Sequence, residues 1–360
     1  LAGPWATQML ADLGAEVIKI EQPNRGDDTR YWGPPFLKEG NDEEVPEAAY
    51  YHCANRNKQS VAIDISTSEG QQIIKDMVLD ADVLVENYKV GGLKKYGLDY
   101  QTINKLNPNL VYCSITGFGQ KGPSAHKAGY DAIIQAEGGI MSLTGDGEPM
   151  KVGIAIADIM TGLYSGNAIL AALFARTHTK TGQHIDVALL DVQMSVLANQ
   201  GMSYLSTGEN PTRHGNAHPV VVPYQPFTSR DGKFILAIGN DLQFTKFCQQ
   251  VDRADLATNP KFCKNDQRVK FRDELIPLLD EIMKTRTTDE WIDILEKISV
   301  PCGPINTLKQ VFDHPQIKYR KMVRQVPNSD GKMIDVIASP INLSDTPLQY
   351  KTASPALGEH

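Results

Sequence analysis

LAGPWATQMLADLGAEVIKIE, residues Leu1 to Glu21, changes its period halfway along. From Trp5 to Leu13 the apolar residues return at helical spacing, Gly14 interrupts, and from Glu16 to Glu21 apolar and charged residues alternate as in a strand with one buried face. The same change recurs downstream. Ser60 to Ile65 reads as a strand, Ser66 and Glu69 have the spacing of a capping box that opens a helix through Ile73, Ile74 and Val78, and Val83 to Val85 reads as a buried strand. Asp99 is placed to cap a short helix through Ile103, and Leu110 to Thr116 supplies another strand. A helical pattern from Ile159 to Ala175 leads to a strand at Ile185 to Leu189. Alternation of this kind predicts an α/β fold built on a doubly wound, Rossmann-like parallel sheet.

At 360 residues the chain exceeds the usual size of one domain. From about residue 225 its character changes: Phe227 to Gly239 resembles a hairpin around Arg230, Asp231 and Gly232, and helices are predicted at 241–251, 267–285 and 288–298. A turn at Asn328 to Gly331 joins two short strands, and a proline-rich stretch follows. These features predict a large domain over 1–199, a smaller α+β domain over 200–325, and a segment at 326–360 that returns to the large domain. The chain starts as if in mid-fold, so a strand before Leu1 is expected, as is a further piece after LGEH.

Apolar residues at 41% and charged residues at 22% fit a globular protein. No apolar run in the sequence approaches the ~20 residues of a membrane span, so no membrane partner is expected. A net charge of −7 argues against nucleic acid as a partner while leaving room for a local basic pocket. The five cysteines, Cys53, Cys113, Cys248, Cys263 and Cys302, are widely spaced and odd in number, which suits a reducing compartment. The cytoplasm is the expected location, with the mitochondrial matrix as the alternative.

In PMKVGIAIADIMTGLY, Pro149 to Tyr164, the carboxylate of Asp158 interrupts the most apolar stretch of the chain. It precedes a helical run, so it reads as an N-cap. Helix N-termini favour anions, and an ionised carboxylate can also be a nucleophile, so the two readings are compatible. No dinucleotide or P-loop glycine motif is present. Basic residues instead fall singly near strand ends and loops: Arg25, Arg30, Arg56, Lys58, Lys89, Lys94, Lys95, Lys121 and Lys127. They are either solvated surface charges or contacts for phosphates bound beyond the carboxyl ends of the strands. Arg213, His214 and His218 lie in a proline-bounded loop that lacks a third ligand for a metal, so none is assigned. Arg213 is instead a candidate clamp for a substrate carboxylate. Tyr130, Asp131, Gly138 and Gly139 stand in a glycine-rich region that ordinary loop chemistry would also explain.

Taken together, LAGPWATQMLADLGAEVIKIE, GDDTR, NRNKQSVAIDI, DVLVENY, GYDAIIQAEGG, VGIAIADIMTGLY, VPYQPF, VPCGPI and LGEH resemble the class III CoA-transferases nearly end to end, and most closely their succinyl-CoA–glutarate type. The resemblance implies that Asp158 is a nucleophile. Its carboxylate attacks an acyl-CoA thioester to give a mixed anhydride and CoA thiolate, and the thiolate re-attacks to give an aspartyl-CoA thioester. An acceptor acid then completes the exchange through a related anhydride. Coenzyme A is thus a substrate, with no tightly bound cofactor.

The resemblance also implies a CoA site at Ile63, Asp64, Ile65, Asn87, Tyr88, Lys89, Lys95, Lys127, Tyr130 and Asp131, with Arg25 standing in for an arginine replaced by Gln22. Gly138 and Gly139 are the candidate oxyanion donors. Lys95 stands where the family often has arginine. Leu1 stands where oxalate-using members have glutamine, which argues against oxalate. An interlocked homodimer is implied as well. Two other readings are a racemase of the same fold, which Tyr130 in place of a histidine disfavours, and a CoA-binding protein without catalysis.

Overall fold

The structure is a computed structural model that describes residues 1–39 and 43–360, with the backbone alone at 38, 39 and 43–46. Its parallel strands form two ladders. Val17–Glu21 pairs with Lys58–Ala62, and Val83–Glu86, Val111–Thr116 and His184–Ala188 lie side by side in that order. The parallel α/β architecture is present, but the single doubly wound sheet expected from the sequence is replaced by these two ladders. Among the described residues no strand joins them.

The helix Ala2–Asp12 crosses the long helix Ile156–Thr179 at close range. A Cβ at Gly162 would stand 2.8 Å from the backbone oxygen of Ala2, so only glycine admits the approach there, while one at Gly166 would meet the end of the Met9 side chain. By length and composition alone the long helix is apolar enough to cross a bilayer, a test that the core helix of a globular protein also passes. Its buried face, Thr161, Gly162, Ser165, Ile169 and Ala172, belongs to the protein core.

Several caps are as the sequence spells them. Asp99 accepts from Thr102 N, and Thr287 with Glu290 forms a capping box. The helix Ser68–Asp80 is capped by Thr67 and not by Ser66, whose backbone and hydroxyl both donate to Asp64 instead. The glycine-rich stretch read as loop contains two short helices, Asp131–Glu137 and Ile140–Leu143.

The chain divides into two compact units: residues 1–141, 151–209 and 315–360 form one, and 142–150 with 210–314 the other. Residue 199 lies inside the helix Ala198–Thr207 and residue 325 inside the strand Val323–Pro327, so neither position is a break in structure. In the second unit the hairpin Tyr224–Thr228 and Lys233–Ala237, extended by Cys302–Pro304, covers a core of Phe227, Phe234, Phe244, Phe247 and Trp291. The helix expected at 267–285 is two, Asn265–Lys270 and Arg272–Met283, which meet at Phe271. Arg268, fully buried there, donates to Val222 O, Phe262 O and Asp241.

Interior ion pairs tie the last residues into the first unit. Arg30 donates to both oxygens of Glu21, to the Tyr51 hydroxyl and to Pro355 O, while Ser60 donates to Glu21 as well. Burial pushes the Glu21 carboxyl up, but Arg30 and Ser60 outweigh it and hold it below its usual value. Arg56 grips Asp12 and donates to Ile337 O, and Asn57 bridges Asp12 to Gln349 O. Lys58 donates to Pro4 O, Ala54 O and Asn55. Arg30, Arg56 and Lys58 are therefore interior supports and not phosphate contacts, which corrects that option from the sequence. Because Arg30→Ala leaves Glu21 buried without its partner, it should cost about 3–5 kcal/mol in urea unfolding. A loss below about 1 kcal/mol would contradict this assignment of the pair.

Candidate active site

Asp158 is the third residue of the helix Ile156–Thr179, one turn inside the position at which the sequence reading placed it as the cap. The capping carboxylate is Asp131. Its Oδ1 accepts from Ala157 N at 2.9 Å and Asp158 N at 3.2 Å, and its Oδ2 accepts from Gln135 Nε2 at 2.7 Å. Gln135, fully buried, in turn accepts from Val152 N at 2.8 Å. Asp131 and Gln135 sit one helical turn apart and together fasten the chain from Val152 to Asp158. Asp131 is partly buried and its oxygens are taken by these bonds, so the cap belongs to Asp131 and the Asp158 side chain is left for other work.

That side chain is 17% exposed and lines a cleft of the first unit. Burial raises its pKa from the ordinary aspartate value, and Asp131 adds repulsion. The expectation that the helix end simply holds Asp158 ionised is therefore corrected: its charge is expensive, because water is largely excluded and a second carboxylate is close. An anion with little solvation is the more reactive one.

Tyr50 was not singled out from the sequence. Its hydroxyl is pushed up to about 12 by burial and then by the charges of Asp158, Cys53 and Asp131. Its ring meets Trp32 edge to face at 5.2 Å, and Trp32 lines the same cleft. No motif or spacing marks Tyr50; only the fold brings it to Asp158.

The residues that follow the carboxyl ends of the parallel strands also line the cleft: Arg25 after Val17–Glu21, and Asn87, Tyr88 and Lys89 after Val83–Glu86. Ile65, Lys127 and Tyr130 join them, with Lys127 Nζ 5.5 Å from the centre of the Phe118 ring and Tyr130 66% exposed. Ligands of open parallel sheets bind at this end. Other expected residues lie elsewhere. Ile63 is in the core, Asp64 is engaged by Ser66, and Lys95 lies over the Tyr96 ring and off the cleft lining. Asp131 is the cap already described.

Gly138 N donates to Ile134 O at 2.8 Å and Gly139 N to Ala136 O at 3.4 Å. A Cβ at Gly138 would stand 2.4 Å from Gln193 Cγ, so close packing accounts for this glycine. In the second unit Arg213 donates to Ser142 O and Gly147 O, which leaves only its Nε, buried without a partner. His214 meets Arg272 at 3.3 Å and His218 stacks on Tyr224. Among the described residues no group of three or more metal-binding side chains is present.

Comparison with known proteins places this geometry. The family model described as CoA-transferase family III matches residues 1–360. The succinate–glutarate CoA-transferase of Agrobacterium fabrum is 49% identical over all of this chain and 90% of its own length. The human succinyl-CoA:glutarate CoA-transferase is 41% identical over all of this chain and 81% of its own. A crystal structure of a CAIB/BAIF family protein from Brucella suis superimposes with a TM-score of 0.87 at 50% identity, covering all of this chain and 93% of that one.

The arrangement makes the charge of Asp158 sensitive to Asp131. In a titration followed by carbon NMR of labelled aspartate, Asp158 should titrate above 3.8, and Asp131→Asn should move it down. The amide oxygen of the substituted side chain can still accept from Ala157 N and Asp158 N, while the bond from Gln135 Nε2 is lost with the charge. A pKa at or below 3.8 in the unaltered protein would contradict the burial argument.

Proposed function

The chain belongs to CoA-transferase family III and is a CoA-transferase, and from that premise we propose that it moves CoA from a dicarboxylic acyl-CoA such as succinyl-CoA to a second organic acid through a covalent adduct on Asp158. The observation that carries the proposal is a buried carboxylate, freed from capping by Asp131, at the edge of a cleft bordered by the strand-end residues Asn87, Tyr88 and Lys89.

The steps balance without a metal or a nucleotide. Asp158 Oδ attacks the thioester carbonyl, a C–O bond forms, the C–S bond breaks, and CoA leaves as thiolate. The thiolate attacks the aspartyl carbonyl of the mixed anhydride, which forms an aspartyl-CoA thioester and releases the donor acid. The acceptor carboxylate attacks that thioester, CoA thiolate leaves again, and its attack on the acceptor's carbonyl yields the new acyl-CoA and frees Asp158. Each attack passes through an oxyanion that a fixed donor stabilises. Gly138 and Gly139 serve only if their bonds to Ile134 and Ala136 open.

CoA lies over Ile65, Asn87, Tyr88 and Lys89, with Lys127 and Arg25 as cations for its phosphates. A dicarboxylate is favoured because the Agrobacterium fabrum and human relatives are named for succinate or succinyl-CoA and for glutarate. The proposed working form is an interlocked homodimer, for which the exposed apolar side chains Leu163, Leu170 and Phe174 of the long helix offer a surface.

The test is exchange between succinyl-CoA and a panel of acids, followed by mass spectrometry of the CoA products. Asp158→Ala should lower transfer by about 10³-fold or more while calorimetry still detects CoA binding within about threefold of the unaltered protein. Transfer that survives in Asp158→Ala would overturn the proposal.

A further inference from the structure

Glu86 ends the strand Val83–Glu86 immediately before the cleft-lining residues Asn87, Tyr88 and Lys89. One of its oxygens, Oε2, accepts from Tyr88 N at 2.8 Å, which folds the chain back over the strand end. Burial raises the carboxyl's pKa, and the nearby Ser114 hydroxyl opposes that rise. In the parallel register Glu86 faces Ser114, so the two side chains emerge together from one face of the sheet. Ser114 is buried, and its Oγ lies 2.9 Å from His184 Nε2 on the next strand. The His184 ring is itself stacked on Tyr100, with centroids 4.4 Å apart, and meets the edge of Tyr112. Asp186, the nearest other carboxylate on that strand, is taken up by Gln120 N.

A row of three polar side chains across three strands costs desolvation, and an aliphatic row would fill the same face more cheaply. The row has a direction. An ionised Glu86 favours a Ser114 hydroxyl turned towards it, which leaves the Ser114 oxygen to accept from a protonated Nε2 of His184. Its free end is the Tyr88 N–H.

We infer that Glu86 is a positioning residue for the CoA-binding segment Asn87–Lys89, anchored from behind by Ser114 and His184. The inference rests on the reading of this cleft as the acyl-CoA site. Glu86 touches neither reacting atom; it sets where the segment's backbone and side chains meet the ligand, so its loss falls on binding and spares the chemical step.

The experiment measures CoA binding by calorimetry and steady-state kinetics with succinyl-CoA. Glu86→Ala should raise KM for acyl-CoA by about 10- to 100-fold, the range for losing a hydrogen bond to a charged group, with kcat within about threefold. Glu86→Gln should stay within about threefold in both, because its amide oxygen still accepts from Tyr88 N and its amide nitrogen can donate to Ser114. Should Glu86→Ala fail to fold, Ser114→Ala takes its place, with an expected rise in KM of about 3- to 10-fold at unchanged kcat. An unchanged KM in these variants, a fall in kcat matching the rise in KM, or a Glu86→Gln protein as impaired as Glu86→Ala would overturn the inference. Absence of CoA binding by the unaltered protein would sink the reading of the cleft instead, which keeps the two failures apart.

Discussion

Two carboxylates meet at the start of the helix Ile156–Thr179, and the separation of their tasks governs the site. Asp131 spends its oxygens on the helix backbone and on Gln135. Asp158, one turn further in, keeps its oxygens free of such bonds but sits where burial and Asp131 disfavour its charge. Had Asp158 been the cap, its lone pairs would be occupied by backbone N–H groups and its basicity lowered, which is the wrong preparation for attack on a thioester. The fold thus takes capping from one aspartate and leaves the other poorly solvated, the state that the proposed attack calls for.

The remainder of the first unit keeps that arrangement rigid. Glycine at 162 lets the helix Ala2–Asp12 lie directly on the long helix that carries Asp158. Behind the strands, the Glu21–Arg30 and Asp12–Arg56 pairs hold residues 337–355 against residues 12–56. Such buried pairs contribute little net stability compared with apolar packing, but each is costly to break singly, so they enforce one register of a long-range closure. The Glu86–Ser114–His184 row applies the same logic on a smaller scale at the cleft margin.

Local order was the part most legible in the sequence. Strand periods, the Asp99 cap and the hairpin around Asp231 follow from spacing and turn chemistry, which act over a few residues. The family and Asp158 were legible because several motifs occur in order, and the chain does belong to that family. What sequence could not give is which polar residues face inward. Arg30, Arg56 and Lys58 look like any other basic residues until the fold places a carboxylate or a set of carbonyls beside each. The division between Asp131 and Asp158 depends on a contact across 27 positions, and Tyr50 reaches Asp158 across more than a hundred. The Asp131–Gln135 pair did carry a visible sign, its spacing of one helical turn, within a stretch read as loop.

The central claim is that an oxygen of Asp158 changes owner in every turnover. If the acceptor acid carries heavy oxygen in its carboxylate, its attack on the aspartyl thioester and the following return of CoA thiolate leave one heavy oxygen on Asp158. Peptide mass spectrometry after a single turnover should find that one added label on the Asp158 peptide and on no other. An unlabelled Asp158 after many turnovers would mean that CoA passes between the acids without a bond to this side chain, and would contradict the account.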